Sequence, residues 1–459
     1  MSYFLDVNYY MLNNYFVKKG IVMMNLDVFR FEFKHFVNSK AKMFSYLFFM
    51  ILCIFSIHNG FEIMQKQIDT IADIREKQEF EVLQVFNWFE NKQNGPVEKP
   101  WVNIEDAFWS IRYTPSYVVK TPSLLFPLGI GQSEQFGFYK QITRWSSTYD
   151  SDMVEEISNY ERLINGNIDF SFLIIFLLPI LIIILTYNIN GLEKDLNFHK
   201  LISVQNHRIN AWIVYRLLFY VLLVVFSIDI LILSTAFFYN MYSDLSSIFA
   251  IIVIANLYII SFCLVFYFIL KNCTSSSSTA FKMISVWLIF CVIIPGSVHQ
   301  YASFKYPVNY MTDFLDVNRK QTYDVFKLDN IDLYDILMEI HPELIDTEKA
   351  KKDVLDNQII RRSISTIINQ MNLDASNQIE MQNEEKNQLI RSSYFFNPIS
   401  FVQNLWNSCT ATDYNAYRDF RLEIQEAINL RNKLIVIELW KETKVEKEIY
   451  IKYLEILTN

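Results

Sequence analysis

Apolar side chains in this chain gather into long runs with no period, separated by stretches where the period returns. The runs cover 43–57, 168–188, 211–239, 248–270 and 283–298. Each is long enough, or nearly so, to cross a bilayer core as a helix, which takes about 20 residues. The second is the plainest: Phe170–Tyr187 reads FSFLIIFLLPILIIILTY, without a charge. Its Pro179 is acceptable in a membrane helix if neighbours satisfy the carbonyl that the missing N–H frees. The first run is short, but it lies far from Met1 and no small-x-small site follows Ile57, which argues against a cleavable signal peptide.

Between the runs the pattern is amphipathic. Residues 26–37 (LDVFRFEFKHFV) put Phe29, Phe33, Phe36 and Val37 on one helical face and Arg30 and Lys34 on another. That suits an interfacial elbow helix ahead of the first span, or a cytosolic helix packed on a partner. Residues 62–92 keep helical spacing without Gly or Pro and predict a long helix leaving the membrane. From Pro96 to Tyr139, Pro100, Pro115, Pro122, Pro127 and three glycines mix with Trp and Tyr, which predicts a loop-rich unit with short strands. Asp346–Arg391 has neither Gly nor Pro and carries Val354, Ile359, Ile360, Ile364, Ile367 and Ile368 on one face, so one or two long helices are expected there. The later LIVIELW run is too short and too charged to span.

Lysine and arginine set the orientation. Lys34, Lys40 and Lys42 precede the first span, Lys194, Lys200, Arg208 and Arg216 lie between the second and third, and Lys271 and Lys282 bracket the fourth and fifth. These flanks fall on one side, which is therefore expected to be cytoplasmic, with 58–167 and 299–459 outside. The expected fold is a mainly α membrane protein: a polytopic bundle of five spans with two large extracytoplasmic insertions, the second helical. Residues 1–42 form a cytoplasmic N-terminus, and 189–210 a charged cytoplasmic segment between spans two and three. The first 23 residues are unpatterned, and Met24 is an alternative start to Met1.

Composition narrows the function. With 459 residues, 52% hydrophobic, 20% charged and a net charge of −8, the chain lacks the basic surface a nucleic-acid partner requires. Of five cysteines only Cys409 is expected outside, so no intramolecular disulfide is expected there. No G-x-x-x-x-G-K-[ST] is present, and Gly129-Ile-Gly131-Gln132 lacks the Lys-Ser/Thr a phosphate loop needs. The six histidines (His35, His58, His199, His207, His299, His341) form no H-E-x-x-H, and His341-Pro-Glu343 lacks the paired cysteines of a zinc deaminase. No catalytic residue, metal site or cofactor is therefore assigned to this chain. Asp229 in the third run and Asn256 in the fourth are intramembrane polar groups, suited either to lining a translocation seam or to an interhelical hydrogen bond.

One ordered set of motifs is more specific: Asn165-Gly-Asn-Ile-Asp169-Phe-Ser-Phe, Leu178-Pro179-Ile-Leu and Gly191-Leu-Glu193-Lys-Asp195. Others are Pro127-Leu-Gly129-Ile-Gly131-Gln132-Ser133-Glu134, Asn397-Pro398-Ile-Ser with Gln403-Asn404, and Thr412-Asp413-Tyr414 followed by Tyr417-Arg418-Asp419-Phe420. Together they cover most of Met24–Leu430. This set resembles the permease subunits of type-2 ABC exporters, in particular ABC-2-like permeases with two large external insertions. The resemblance implies a separate ATP-binding subunit that carries ATP and Mg, and a second permease or a copy of this chain, together making an exporter. The scarcity of cysteine outside and the AT-biased use of Asn, Lys and Ile suggest a bacterial cytoplasmic (inner) membrane.

The resemblance also makes Glu193, Lys194, Asp195 and Leu201 candidates for coupling to the ATPase, or part of a membrane-lying loop. Such permeases end in a sixth span, whereas Leu434–Trp440 is followed here by Lys441-Glu-Thr-Lys-Val-Glu-Lys-Glu. A truncated or frameshifted gene and a dispensable last helix are both open. A rival from another class is a non-transporting membrane scaffold whose external domains bind envelope partners.

Overall fold

The computed structural model describes residues 26–149, 152–153, 168–197, 209–272, 274–308, 310–347, 349–350 and 356–458. Among them, five helices are long and apolar enough to cross a membrane: Lys40–Glu90, Phe170–Asp195, Asn210–Phe238, Tyr242–Lys271 and Ser276–Lys305. The chain has the make-up of a helical membrane protein, and each of the five apolar runs falls almost wholly within one of these helices.

Two compact units divide the chain, one built from 1–56 and 172–294, the other from 57–171 and 295–459. In the first, the fourth helix (Leu245–Lys271) shows what an apolar solvent does to a sequence. Ile251, Ala255, Ile259, Phe262 and Phe266 are buried on one face, while Phe249, Leu257, Leu264 and Phe268 are exposed on the other. Both faces are hydrophobic, so packing rather than polarity separates inside from outside. Asp244 caps this helix, accepting from the Ser247 N–H at 3.2 Å.

Proline shapes two of the spans. In the second, Leu173–Leu177 forms a π turn ahead of Pro179; in the fifth, Ile289–Ile293 forms one ahead of Pro295. A proline removes the N–H that would bind the carbonyl four residues back and clashes with it, and a widened turn is one way a helix accommodates this. For Pro179 that carbonyl belongs to Ile175, and it accepts from the Tyr258 hydroxyl of the fourth helix. The next carbonyl, Phe176, accepts from Trp287 Nε1 of the fifth helix at 2.8 Å. Neighbouring helices thus supply the donors that Pro179 requires.

In the second unit, residues from both polar regions share one core. Val85, Phe108 and Ile111 pack with Leu333, Leu337, Ile360, Ile364, Ile367, Val436, Trp440 and Tyr450. The two regions read separately from the sequence therefore build a single unit. The LIVIELW run lies in the helix Tyr414–Trp440, where Ile435, Val436, Leu439 and Trp440 are buried in that core. The anticipated helix within Asp346–Arg391 is one helix, Asn357–Ser392, capped by Asp356. The loop-rich stretch contains a two-stranded antiparallel sheet, β1 (Tyr117–Val119) and β2 (Tyr139–Gln141), with Val118 opposite Lys140.

One sequence expectation changes shape. The first apolar run and the polar helix after it are a single unbroken 51-residue helix, Lys40–Glu90. Gly60 sits within it because a Cβ there would lie 2.9 Å from both Cα and O of Pro127; the glycine serves a close approach, and one glycine does not break a helix this long.

Removing the Tyr258 hydroxyl (Tyr258→Phe) strands the Ile175 carbonyl in an apolar interior. The variant is expected to lose about 1 kcal/mol of stability in denaturant titration in mixed micelles, whereas Tyr267→Phe should be neutral.

Candidate functional site

Among the described residues of the first unit, the strongest concentration of polar chemistry is a buried cluster at one end of the bundle. Arg216, 1% exposed, donates through Nε to Glu32 of the elbow helix Leu26–Asn38. Through Nη1 it donates to Glu193 and to the Ile189 carbonyl. The Tyr220 hydroxyl donates to Glu32 Oε2 at 2.9 Å, and Lys42 Nζ donates to the Leu185 carbonyl at 2.6 Å and to the Tyr220 hydroxyl at 3.0 Å. Two acids and two bases balance to zero, as burial of charge demands. Both cations also lie at the C-terminal end of the second apolar helix, where free carbonyls and the helix dipole favour positive charge.

His35 lies 3.9 Å from Glu32. Burial, and next the Lys42 ammonium, hold it below the usual histidine range, so it is neutral at pH 7 and leaves the balance intact.

Of the sequence-named coupling residues, Glu193 turns inward into this cluster and is 13% exposed. Asp195 is exposed, and its carboxylate accepts from the Ser276 N–H at 3.1 Å, at the start of the fifth span. Lys194 lies between them in the short helix Gly191–Asp195. Leu201 is outside the described residues. Gly191 is required here, since a Cβ would stand 2.6 Å from Ser276 N and Cα. Asn190 adds a bond from Nδ2 to the Leu270 carbonyl at 3.0 Å. The turn after the second span is thereby tied to the third helix by Glu193, to the end of the fourth by Asn190 and to the start of the fifth by Asp195.

Asp229 and Asn256 are brought together: Asn256 Nδ2 donates to Asp229 Oδ1 at 3.1 Å and to Oδ2 at 3.3 Å, joining the third and fourth helices.

Sequence reasoning missed Glu32, Lys42, Arg216 and Tyr220 as a site. Lys42 and Arg216 entered only as charges that orient the chain. Within the helix Leu26–Asn38, Val28, Glu32 and Phe36 are buried, whereas Phe33 and Val37 of the expected apolar face are exposed. An acid spaced four residues from apolar neighbours on both sides was the available signal. It was overlooked because phenylalanines dominate the segment.

Several of the motifs that carry the family resemblance meet in the second unit. The Gly129–Gly131 loop is held from both sides. Asp169 Oδ2 accepts from the Ile130 N–H at 2.9 Å, while Thr412 Oγ1 donates to the Gly129 carbonyl at 3.1 Å. The Gln132 N–H donates to the Thr412 carbonyl at 3.0 Å, and Trp406 Nε1 donates to the Leu128 carbonyl at 2.8 Å. Gly131 has φ +54°, and a Cβ on it would meet Thr412 Oγ1 at 2.4 Å. Asp169, Trp406, Thr410 and Thr412 are all buried. The motifs build a structural clasp, with backbone groups as the main partners. Comparisons of the chain with family models, with curated proteins and with solved structures find no match.

Arg216→Leu leaves Glu32 buried without its cation and is expected to cost about 3–5 kcal/mol, read as loss of folded protein in detergent-solubilised thermal unfolding. Pairing it with Glu32→Gln should recover part of the loss, because the two changes act on one contact; strict additivity would show that the pair is not coupled.

Proposed function

We propose that this chain is the membrane-spanning permease subunit of a type-2 ABC exporter, working with a separate ATP-binding subunit and with a second permease or a copy of itself. In this reading the lysine-flanked ends of the spans face the cytoplasm, and 58–167 and 299–459 are extracytoplasmic. The ordered motifs carry the family assignment. The observation that supports a power-transmitting role is the three-way anchoring of the turn at 190–195.

A partner pressing on that turn would move the third, fourth and fifth helices together, because Glu193, Asn190 and Asp195 each end on a different one. The elbow helix joins the same network through Glu32. Buried, charge-balanced contacts of this kind transmit displacement well: sliding one partner away exposes an uncompensated charge, which is costly. The Asp229–Asn256 contact then keeps the third and fourth helices moving as a pair.

Affinity purification from native membranes in mild detergent tests the assignment. Co-purification of a soluble protein with a Walker motif and ATPase activity is the expected result. Recovery of envelope proteins without an ATPase would favour the membrane-anchored scaffold instead. Once a substrate is in hand, Asp195→Lys should abolish efflux while membrane insertion and abundance stay unchanged. Unaltered efflux would remove the 190–195 turn from the coupling path.

A further inference from the structure

The second unit contains a cavity of about 770 Å³, within the size range of small-molecule sites. Its lining includes Arg112, Arg144 and Arg431 together with Trp88, Tyr113 and Trp145. Basic character here runs against a chain whose net charge is −8.

Arg431 is 3% exposed and has no ion pair among the described residues. Its Nη2 is spent on backbone carbonyls at the end of the helix Ala107–Tyr113, donating to Ile111 O at 2.7 Å and Thr114 O at 2.8 Å. Nε and Nη1 are buried and find no acceptor among the described residues. A buried guanidinium with two idle donor groups and no counterion is expensive to maintain. Burial holds its pKa down to about 10.

Arg144 repeats the situation. Its guanidinium stacks on Trp145 at 4.3 Å and on Phe108 at 5.2 Å, and its Nε has no acceptor among the described residues. Its charged neighbours are cations: Arg112 and Arg362 both repel it. Stacking uses the faces of the guanidinium and leaves the in-plane N–H groups for a planar acceptor. Two acids also line the cavity, Glu81, which pairs with Lys77 at 3.9 Å, and Glu98; neither makes an ion pair with these arginines. The apolar side is supplied by Trp88, set edge-to-face on Tyr113 at 5.5 Å, and by Trp145, which is 49% exposed.

We propose that this cavity binds a small water-soluble ligand carrying an oxyanion, carboxylate or phosphate, on a planar apolar body. The oxyanion accepts from Arg144, with the buried Arg431 as a fixed positive charge beside the cavity, and the planar body lies against the tryptophans. The inference stands on the second unit alone and does not depend on the exporter reading.

The test uses the full chain in nanodiscs of zwitterionic lipid, with empty nanodiscs as blank, and isothermal titration with phenyl phosphate, benzoate, inorganic phosphate and benzyl alcohol. Binding of phenyl phosphate or benzoate, and which of the two, identifies the anion. Inorganic phosphate is expected to bind more weakly and benzyl alcohol not at all. Arg144→Gln is the variant of choice, because Arg144 makes no hydrogen bond among the described residues. It should weaken binding by about tenfold or more, while loss of the stacking on Trp145 and Phe108 lowers the thermal unfolding midpoint only slightly and unfolding stays cooperative. No binding of either aromatic anion, equal binding by Arg144→Gln, or inorganic phosphate binding as tightly as phenyl phosphate would overturn the proposal.

Discussion

An arginine that is 1% exposed in an apolar bundle must bring its counterions with it. Around Arg216 this requirement recruits an acid from the elbow helix and another from the turn after the second span, and Lys42 with Tyr220 completes the set. Lipid gives apolar helices little reason to choose one neighbour over another. The polar contacts therefore carry much of the specificity: which helix pairs with which, and in what rotation, follows from where the few donors and acceptors lie.

The same rule governs the backbone. Pro179 frees a carbonyl that the Tyr258 hydroxyl takes up, and Trp287 serves the next one. Lys42 and Arg216 serve Leu185 and Ile189 at the helix end, and Asn190 serves Leu270. In water these groups would be solvated without help. Here each becomes a specific link between helices, so satisfying the backbone and fixing the tertiary arrangement are one process.

Much of the architecture was legible in the chain because it rests on local signals. Five apolar runs mark five helices, a helix expected at 26–37 forms over Leu26–Asn38, and the absence of Gly and Pro foretells the long helix Asn357–Ser392. The partner requirement of Pro179 could be stated from one residue, although its donor could not be named. What stayed hidden were contacts between residues far apart in sequence. Nothing near Glu32 announces Arg216, 184 positions on, and nothing in either polar region announces that Phe108 and Trp440 share a core. Lys42 and Arg216 were misleading in a particular way: flank charges normally point to water, and these two are buried. The Arg144 and Arg431 pocket has no sequence signature, since its lining is drawn from residues 81–145 and from residue 431.

The two π turns carry a consequence for how these spans present themselves. A π turn slips one additional residue into a helix without ending it, which sets every later side chain back by roughly 100° about the axis relative to a uniform wheel. Below Leu173–Leu177 and Ile289–Ile293 the helices therefore present a different stripe from the one a single wheel drawn through the span would assign. In angular terms each span is two helices sharing one axis. A substitution scan along either must be phased separately on the two sides of the bulge if its periodicity is to identify the surface that faces neighbours and the surface that faces lipid.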